Sequence, residues 1–364
     1  MKTKRDKVMV AMSGGVDSSV AAKLLKGKGV EAVGVFLHFW KENLPGADTA
    51  ENKCCSVKAL LDARRVSHKL EMPLYTFNFD EVFKKEVVDD FLDEYAGGRT
   101  PNPCVRCNKR VKLGLLLKKA RGLGFDYVAS GHYAKIKKVK RGDKTIYKLF
   151  RATDKEKDQS YFLYTFNQDE LAHLLFPLEN LTKPKVRRAA KQAGLPVAEK
   201  KESQEICFIA EKSHNEFLKR HLKLKKGPII ILESGQAIGE HQGLPLYTIG
   251  QRKGVEIGGT GPFYVVKLDY STNALYVAKD GNDQSIFSDK LTAKKVNWIS
   301  GEEPQLPLRC EAVIRYRHKP VKCVVTKKGS RYLVEFAEPQ RAITPGQSVV
   351  FYKGDEVLGG GIIV

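Results

Sequence analysis

The stretch Ser13-Gly14-Gly15-Val16-Asp17-Ser18-Ser19 lies between an apolar run, Lys7 to Met12, and a helical pattern from Val20 to Lys28. No other part of the chain restricts the fold as much. Two glycines permit a tight reversal with exposed backbone N–H groups, the serines add hydroxyl donors, and the helix behind them offers its positive end to an anion. A phosphate cradle is one reading; a strand-to-helix turn with a capping serine is the other. No Gly-Lys-Ser/Thr follows at Walker A spacing, so transfer of a terminal phosphoryl group is not what the loop predicts. The alternation continues with a strand over Val30 to Phe39, helices over Val57 to Val66 and Glu81 to Tyr95, and a buried strand over Asp126 to Ser130. This pattern predicts an α/β fold whose N-terminal parallel sheet is flanked by helices, with ligands beyond the carboxyl ends of the strands.

From about Gly227 the texture changes to short runs, Pro228 to Leu232, Phe263 to Leu268, Val321 to Thr326 and Tyr332 to Phe336, separated by turn residues. These predict antiparallel strands and a small C-terminal β-barrel. The expected division is 1–210 for the α/β domain, 211–283 for a small central domain and 284–364 for the barrel. No apolar run approaches the roughly 18 residues of a membrane span, so no membrane association and a cytoplasmic location are expected. Lysine and arginine number 63 against 42 acidic residues, a net charge of +21 that favours a polyanionic partner, nucleic acid first and an acidic membrane surface second.

Seven cysteines, an odd number on a long chain, do not form a disulfide framework. Cys104 and Cys107 stand three apart within Gly98 to Arg110, near the start of a helix expected from about Val105 to Arg121. The helix end, with Arg106, Lys109 and Arg110, is expected to lower a thiol pKa. Cys207 follows the polar stretch Glu202 to Ile206 and is expected to close over the other two. A redox pair, a metal site and a sulfur-transfer site all suit these residues. Cys54 and Cys55 suit packing or acceptance of sulfur from a donor, and Cys310 and Cys323 suit strand interiors. The run Arg309 to Arg331 mixes Arg315, Arg317, Lys319, Lys322, Lys327 and Lys328 with Tyr316, a pattern that suits either RNA phosphates and unstacked bases or a solvated strand face. Arg252 and Lys253, between Gly250 and Gly254, suit either turn punctuation or a loop that grasps RNA backbone.

The glycine-serine loop resembles the PP-loop of the ATP pyrophosphatase class, which implies attack at the α-phosphate and attachment of AMP to a substrate oxygen. Further matches run nearly end to end: Gly98-Arg99-Thr100-Pro101-Asn102-Pro103, Cys107-Asn108-Lys109, Gly131-His132-Tyr133, Lys157 to Leu163, Ile206 to Ile209, Gly239 to Gly243, Gly250 to Gly254 and Thr344 to Ser348. On these the chain resembles the tRNA-specific 2-thiouridylases, which install sulfur on a wobble uridine. The resemblance implies an adenine nucleotide α-hydrolase-like first domain. It places ATP contacts at Ala11, Met12, Ser13, Gly14, Gly15, Val16, Asp17, Ser18, Leu37 and Gly131, with Mg2+ on the phosphates. It places tRNA contacts at Asn102, Pro103, Cys104, His132, Lys157, Asp158, Gln159, Arg315, Tyr316 and Gln347. Cys207 would carry a persulfide and Cys107 would assist, a disulfide between them forming as the sulfur leaves. The sulfur would come from a cysteine desulfurase or a sulfur carrier protein. Cys104 stands where the best-known members have aspartate; with Cys107 and Cys207 it makes three thiolates, enough for an iron-sulfur cluster, so relay and cluster both stand open. The rival readings are an amide-forming PP-loop ligase and a non-catalytic tRNA-binding protein.

Overall fold

The computed structural model describes residues 6–42, 56–201, 206–209, 214–252, 254–255 and 262–364. Val8 to Met12 are buried almost completely, because β1 (Lys7–Met12) is the middle of a parallel sheet. Helix α1 (Val16–Gly27) follows, then β2 (Glu31–His38), α2 (Val57–Lys69) and β3 (Leu74–Asn78). A helical rod comes next, α3 (Asp80–Phe83), a π-helical segment (Lys84–Asp89) and α4 (Asp90–Ala96). The thiol segment is α5 (Pro103–Cys107), a second π-helical segment (Asn108–Lys112) and α6 (Gly114–Gly122), followed by β4 (Tyr127–Ala129). Then come the hairpin β5 (Ala134–Arg141) and β6 (Lys144–Arg151), α7 (Gln168–Ala172), β7 (Leu174–Leu175) and α8 (Lys183–Gln192). The first sheet has the order β3-β2-β1-β4-β7, parallel throughout. The expected α/β architecture is thus present, and its strand ends converge beside the glycine loop.

Several sequence expectations need correction. Helix α1 begins at Val16, not Val20, because the Ser18 and Ser19 hydroxyls bond back to the Gly15 carbonyl at 3.1 and 2.8 Å and so belong to its first turn. The loop proper shrinks to Ser13 to Gly15. Strand β3 escaped the sequence reading because it is a half-exposed edge without clean alternation. The helix expected from Val105 starts at Pro103, where the Asn102 side chain accepts from Val105 N–H, and it does not continue as one α-helix. Instead Leu113 N–H reaches Asn108 O at 3.1 Å, and a Cβ on Gly114 would lie 1.9 Å from Lys109 O, so the widened turn requires glycine there.

After α9 (His214–His221) the central unit holds β8 (Gly227–Ile231), β9 (Ala237–His241), β10 (Tyr264–Asp269) and β11 (Ala274–Ala278), in the order β10-β11-β8-β9. Contrary to an all-antiparallel expectation, β11 and β8 run parallel. The last unit comprises β12 (Phe287–Trp298), β13 (Leu308–Val313), β14 (Val321–Lys328), β15 (Arg331–Arg341), β16 (Ser348–Lys353) and β17 (Glu356–Ile363). The β12–β17 pairing closes these strands into the expected antiparallel barrel, and β6 joins its wall through β17. Cys310 and Cys323 face each other across β13 and β14, Cys323 buried and Cys310 half-buried. No helix among the described residues is long and apolar enough to cross a membrane.

Candidate active site

The glycine loop is held from below and from both sides. Gly14 takes φ +65°, and a Cβ there would lie 2.1 Å from Ala59 O, so the loop is seated on α2 in a conformation suited to glycine. Lys200 Nζ donates to Gly14 O at 3.0 Å and to the buried Asp62 at 2.7 Å. Ser13 N–H donates to Ser18 Oγ at 3.2 Å. Asp17 accepts from Lys183 Nζ at 2.7 Å through both oxygens and from Tyr133 O–H at 2.8 Å. Opposite, a Cβ on Gly131 would meet Ser18 N at 2.6 Å and Asp17 C at 2.7 Å. The end of β4 therefore closes on the first turn of α1. Lys183 and Lys200 were not singled out from the sequence; Thr182-Lys183-Pro184 reads as a helix start, but nothing local says what the lysine reaches.

Above this cradle lies a cavity of about 310 Å³. Ala11, Met12, Ser13, Asp17, Ser18, Leu37 and Gly131 line one side, and Pro103, Cys104, Cys107 and Cys207 line another. Gly14, Gly15 and Val16 stand outside this lining, as the turn and helix start that shape it. Asn108, Lys112, Ser130, His132 and Gln159 add to the polar lining. Asn108 and Lys112 were missed because their place in the wall comes from the π-helical turn, which ordinary helix spacing does not anticipate.

The expected depression of the thiol pKa values is overturned. Burial, then the neighbouring Cys207, pushes the Cys104 thiol up to about 12, and the same causes raise Cys107; only Lys112 opposes them to any extent. Cys104 is nonetheless exposed by surface area, because it opens on the cavity while protein packs densely around it. The cations meant to activate the thiols are engaged elsewhere: Arg106 with Glu86 and Asp90, Arg110 near Glu86 at 3.9 Å, and Lys109 with Glu170. Iodoacetamide should therefore label Cys104 in nucleotide-free protein slowly at neutral pH, with a rate rising about tenfold per pH unit beyond pH 10. An ordinary thiol levels off near 9. Peptide mass spectrometry across a pH series reads this, and a plateau near pH 7 would restore the activated-thiol expectation.

Residues 6–211 match the family model described as the tRNA methyl transferase HUP domain, 215–279 its PRC-barrel domain, and 288–363 the aminomethyltransferase beta-barrel domain. The tRNA-specific 2-thiouridylase MnmA of Clostridium botulinum (strain Alaska E43 / Type E3) is 46% identical, covering 100% of this chain and 99% of its own length. That of Moorella thermoacetica is 48% identical over 98% of each. The chain belongs to the tRNA-specific 2-thiouridylase family. Among solved structures, the U34-tRNA thiolase NcsA from Methanococcus maripaludis with its [4Fe-4S] cluster is similar over 60% of this chain and 65% of its own, at 17% identity and a TM-score of 0.34, too slight a likeness to carry an argument.

In this family member the residues expected to meet tRNA fall into two groups. Pro103, Cys104, His132 and Gln159 line the cavity. His132 is buried, its Nδ1 2.7 Å from Ser130 Oγ, and burial with the nearby Lys112 lowers its pKa well below the ordinary value, so the ring is neutral at pH 7. The others lie outside the cavity lining and make contacts within the protein. Lys157 N–H donates to Asp154, while Asp158 accepts from Ala152 N–H and from Ser160. Arg315 donates to Thr344 Oγ1 at 3.2 Å, and Tyr316 packs on Phe162 with ring centroids 4.5 Å apart. Gln347 Nε2 donates to the carbonyls of Thr100 and Pro101, both at 2.9 Å, and Thr100 N–H donates to Pro345 O. Both amide protons of Gln347 thus tie the barrel to the loop that leads through Asn102 into α5 and Cys104. Gln347→Ala should lower thermal stability by about 1–3 kcal/mol by leaving those carbonyls unpaired, and slow turnover while sparing ATP affinity; thermal melts and nucleotide titration check this. Cys54, Cys55, Lys253 and residues 202–205 lie outside the described residues.

The cradle fits a nucleotide triphosphate: a glycine turn, a helix N-terminus and an apolar floor at Ala11 and Leu37 adjoin one another. Among the described residues no three His, Cys, Asp or Glu side chains converge as a metal would need, so Cys104, Cys107 and Cys207 share a cavity without forming a ligand set.

Proposed function

We propose that this chain is an ATP-dependent tRNA-uridine 2-sulfurtransferase, a reading carried by one observation: the phosphate cradle and three cysteines line the same cavity. The family relatives, named for this activity, support it. The substrate is the wobble uridine of tRNA, lifted from its stack into the cavity. Its C2 carbonyl oxygen attacks the α-phosphorus of ATP, and pyrophosphate leaves toward the Ser13 to Gly15 turn and the first turn of α1. Mg2+ on the phosphates would offset their charge during this step.

A persulfide on Cys207 then supplies its outer sulfur to C2, and AMP departs with the original oxygen. The base is left joined to Cys207 through a disulfide. Attack by Cys107 on the inner sulfur forms the Cys107–Cys207 bond and releases 2-thiouridine, and a thiol reductant must reopen that bond. A thiol whose pKa is raised is a poor nucleophile until it is deprotonated. The anionic leaving sulfur of the base can accept the Cys107 proton as the bond breaks, which lets a buried thiol act at neutral pH. Neutral His132, with a ring nitrogen to spare beyond its Ser130 contact, is placed to orient the uracil edge. The sulfur donor is a desulfurase or carrier protein. Mass spectrometry of tRNA wobble uridines after incubation with ATP and glutathione persulfide, whose outer sulfur passes to the Cys207 thiol as glutathione leaves, tests the reading; pyrophosphate release without 2-thiouridine would favour a ligase, and tRNA binding without pyrophosphate release a silent binder.

A further inference from the structure

Directly after Tyr133, beside the cavity, the chain leaves as β5 and returns as β6, paired from Ala134 and Arg151 to Arg141 and Lys144 around Gly142 and Asp143. The barrel holds this hairpin only at its base, where Leu149 and Phe150 pair with Val357 and Glu356, and Gln168 stitches Tyr147 through both of its amide atoms. Beyond that, residues 137–145 are exposed. Eight residues per strand give a reach of roughly 26 Å from the cavity wall.

The exposed part carries Lys137, Lys138, Lys140, Arg141 and Lys144, with Asp143 as its one carboxylate. The register sets Arg141 directly opposite Lys144 and Lys137 opposite Lys148, which is unfavourable in an antiparallel pair. Lys148 is relieved by Glu356, and Lys137 rests over the Phe150 ring. Among the described residues no carboxylate pairs with Lys138, Lys140, Arg141 or Lys144. A hairpin kept only for folding gains nothing from this repulsion; one that receives a polyanion is stabilised by it when bound. Side chains alternate, so Lys138 and Lys140 occupy one face and Arg141 and Lys144 the other. This two-sided cationic surface suits sequence-independent phosphate contacts.

We propose that the β5–β6 hairpin is an RNA-backbone arm, in which Lys138, Lys140, Arg141 and Lys144 grip phosphates of the helical stem adjoining the reacting nucleotide. The inference rests on the tRNA reading above and extends it to residues outside the cavity. Its origin next to the cavity wall is what selects RNA: a substrate whose base enters the cavity must run its backbone past the rim from which the arm projects.

The test compares wild type with a K138A/K140A/R141A/K144A variant, and with a K138R/K140R/R141K/K144R variant that keeps the charge. Fluorescence anisotropy with unmodified full-length tRNA is measured over a salt series. The alanine variant should lose about tenfold or more in affinity at low salt and flatten the log–log salt slope by about 3, while the charge-keeping variant matches wild type. ATP affinity should be equal in all three, and the melting temperature of the alanine variant should not fall below that of wild type, since it loses the Arg141–Lys144 repulsion. Unchanged tRNA affinity and slope in the alanine variant would overturn the arm. So would normal tRNA binding coupled to a loss of thiolation that appears only when an acidic donor protein replaces glutathione persulfide, since the hairpin would then serve the donor. A wild type that binds no tRNA removes the function itself, an outcome read before any variant is compared.

Discussion

Replacing Cys207 by serine is expected to abolish 2-thiouridine formation, by about 10³-fold or more, while leaving ATP- and tRNA-dependent pyrophosphate release near normal. The separation follows from the cavity. Cys207 lies against the thiol wall rather than in the phosphate cradle, so its oxygen analogue still permits adenylation but cannot carry a persulfide. Cys107→Ser should allow sulfur to reach the base but trap it, so that tRNA disulfide-linked to the protein accumulates and is freed by added dithiothreitol. Cys104→Ser distinguishes the two chemistries left open by the three thiols. A relay through Cys207 and Cys107 predicts a modest loss, because serine still supplies a polar group at that wall. A cluster predicts a loss as deep as that of the other two, with iron and visible absorbance in the anaerobically purified parent protein. Mass spectrometry of the tRNA and a pyrophosphate assay read each case; full thiolation by Cys207→Ser protein would refute the relay.

The second large effect is steric. In Gly131→Ala the new Cβ would need to occupy a point 2.6 Å from Ser18 N and 2.7 Å from Asp17 C, both backbone atoms of the first turn of α1. Neither can swing away, so the end of β4 and the head of α1 must separate, and the phosphate-binding N–H groups shift with them. A displacement near 1 Å is expected to weaken ATP binding and slow adenylation by about 10²-fold. Gly122→Ala is the control: nothing lies within 4 Å of its Cβ position, and the change should be neutral or stabilise by up to about 1 kcal/mol. Isothermal titration with a non-hydrolysable ATP analogue compares the two. Equal affinities would show that the cradle does not depend on close contact between β4 and α1.

Much of the nucleotide half was open to sequence reasoning. A buried strand, two glycines and a helix face of Val16, Val20, Ala21 and Leu25 encode their structure within a few neighbouring positions, so local sterics and burial suffice. The barrel was legible as a class for the same reason, since short alternating strands between turns have few other solutions. The reading of the thiols failed because it depended on their neighbours' surroundings. Arg106, Lys109 and Arg110 stand beside the thiols in the chain, yet Glu86, Asp90 and Glu170 draw them away in space, leaving burial to govern Cys104 and Cys107.

Residue types and their order were enough to announce a phosphate loop, reactive sulfur and a basic surface. Their meeting in one cavity was not written in any local pattern, because Cys104 and Cys207 stand about a hundred residues apart and are joined by packing rather than by spacing. The same holds for Lys183 on Asp17, for Lys200 on Gly14, and for Gln347, which reaches from the barrel to the thiol loop. Each is a long-range contact whose energy exists only once distant elements have docked, so it leaves no periodic trace in the chain that encodes it.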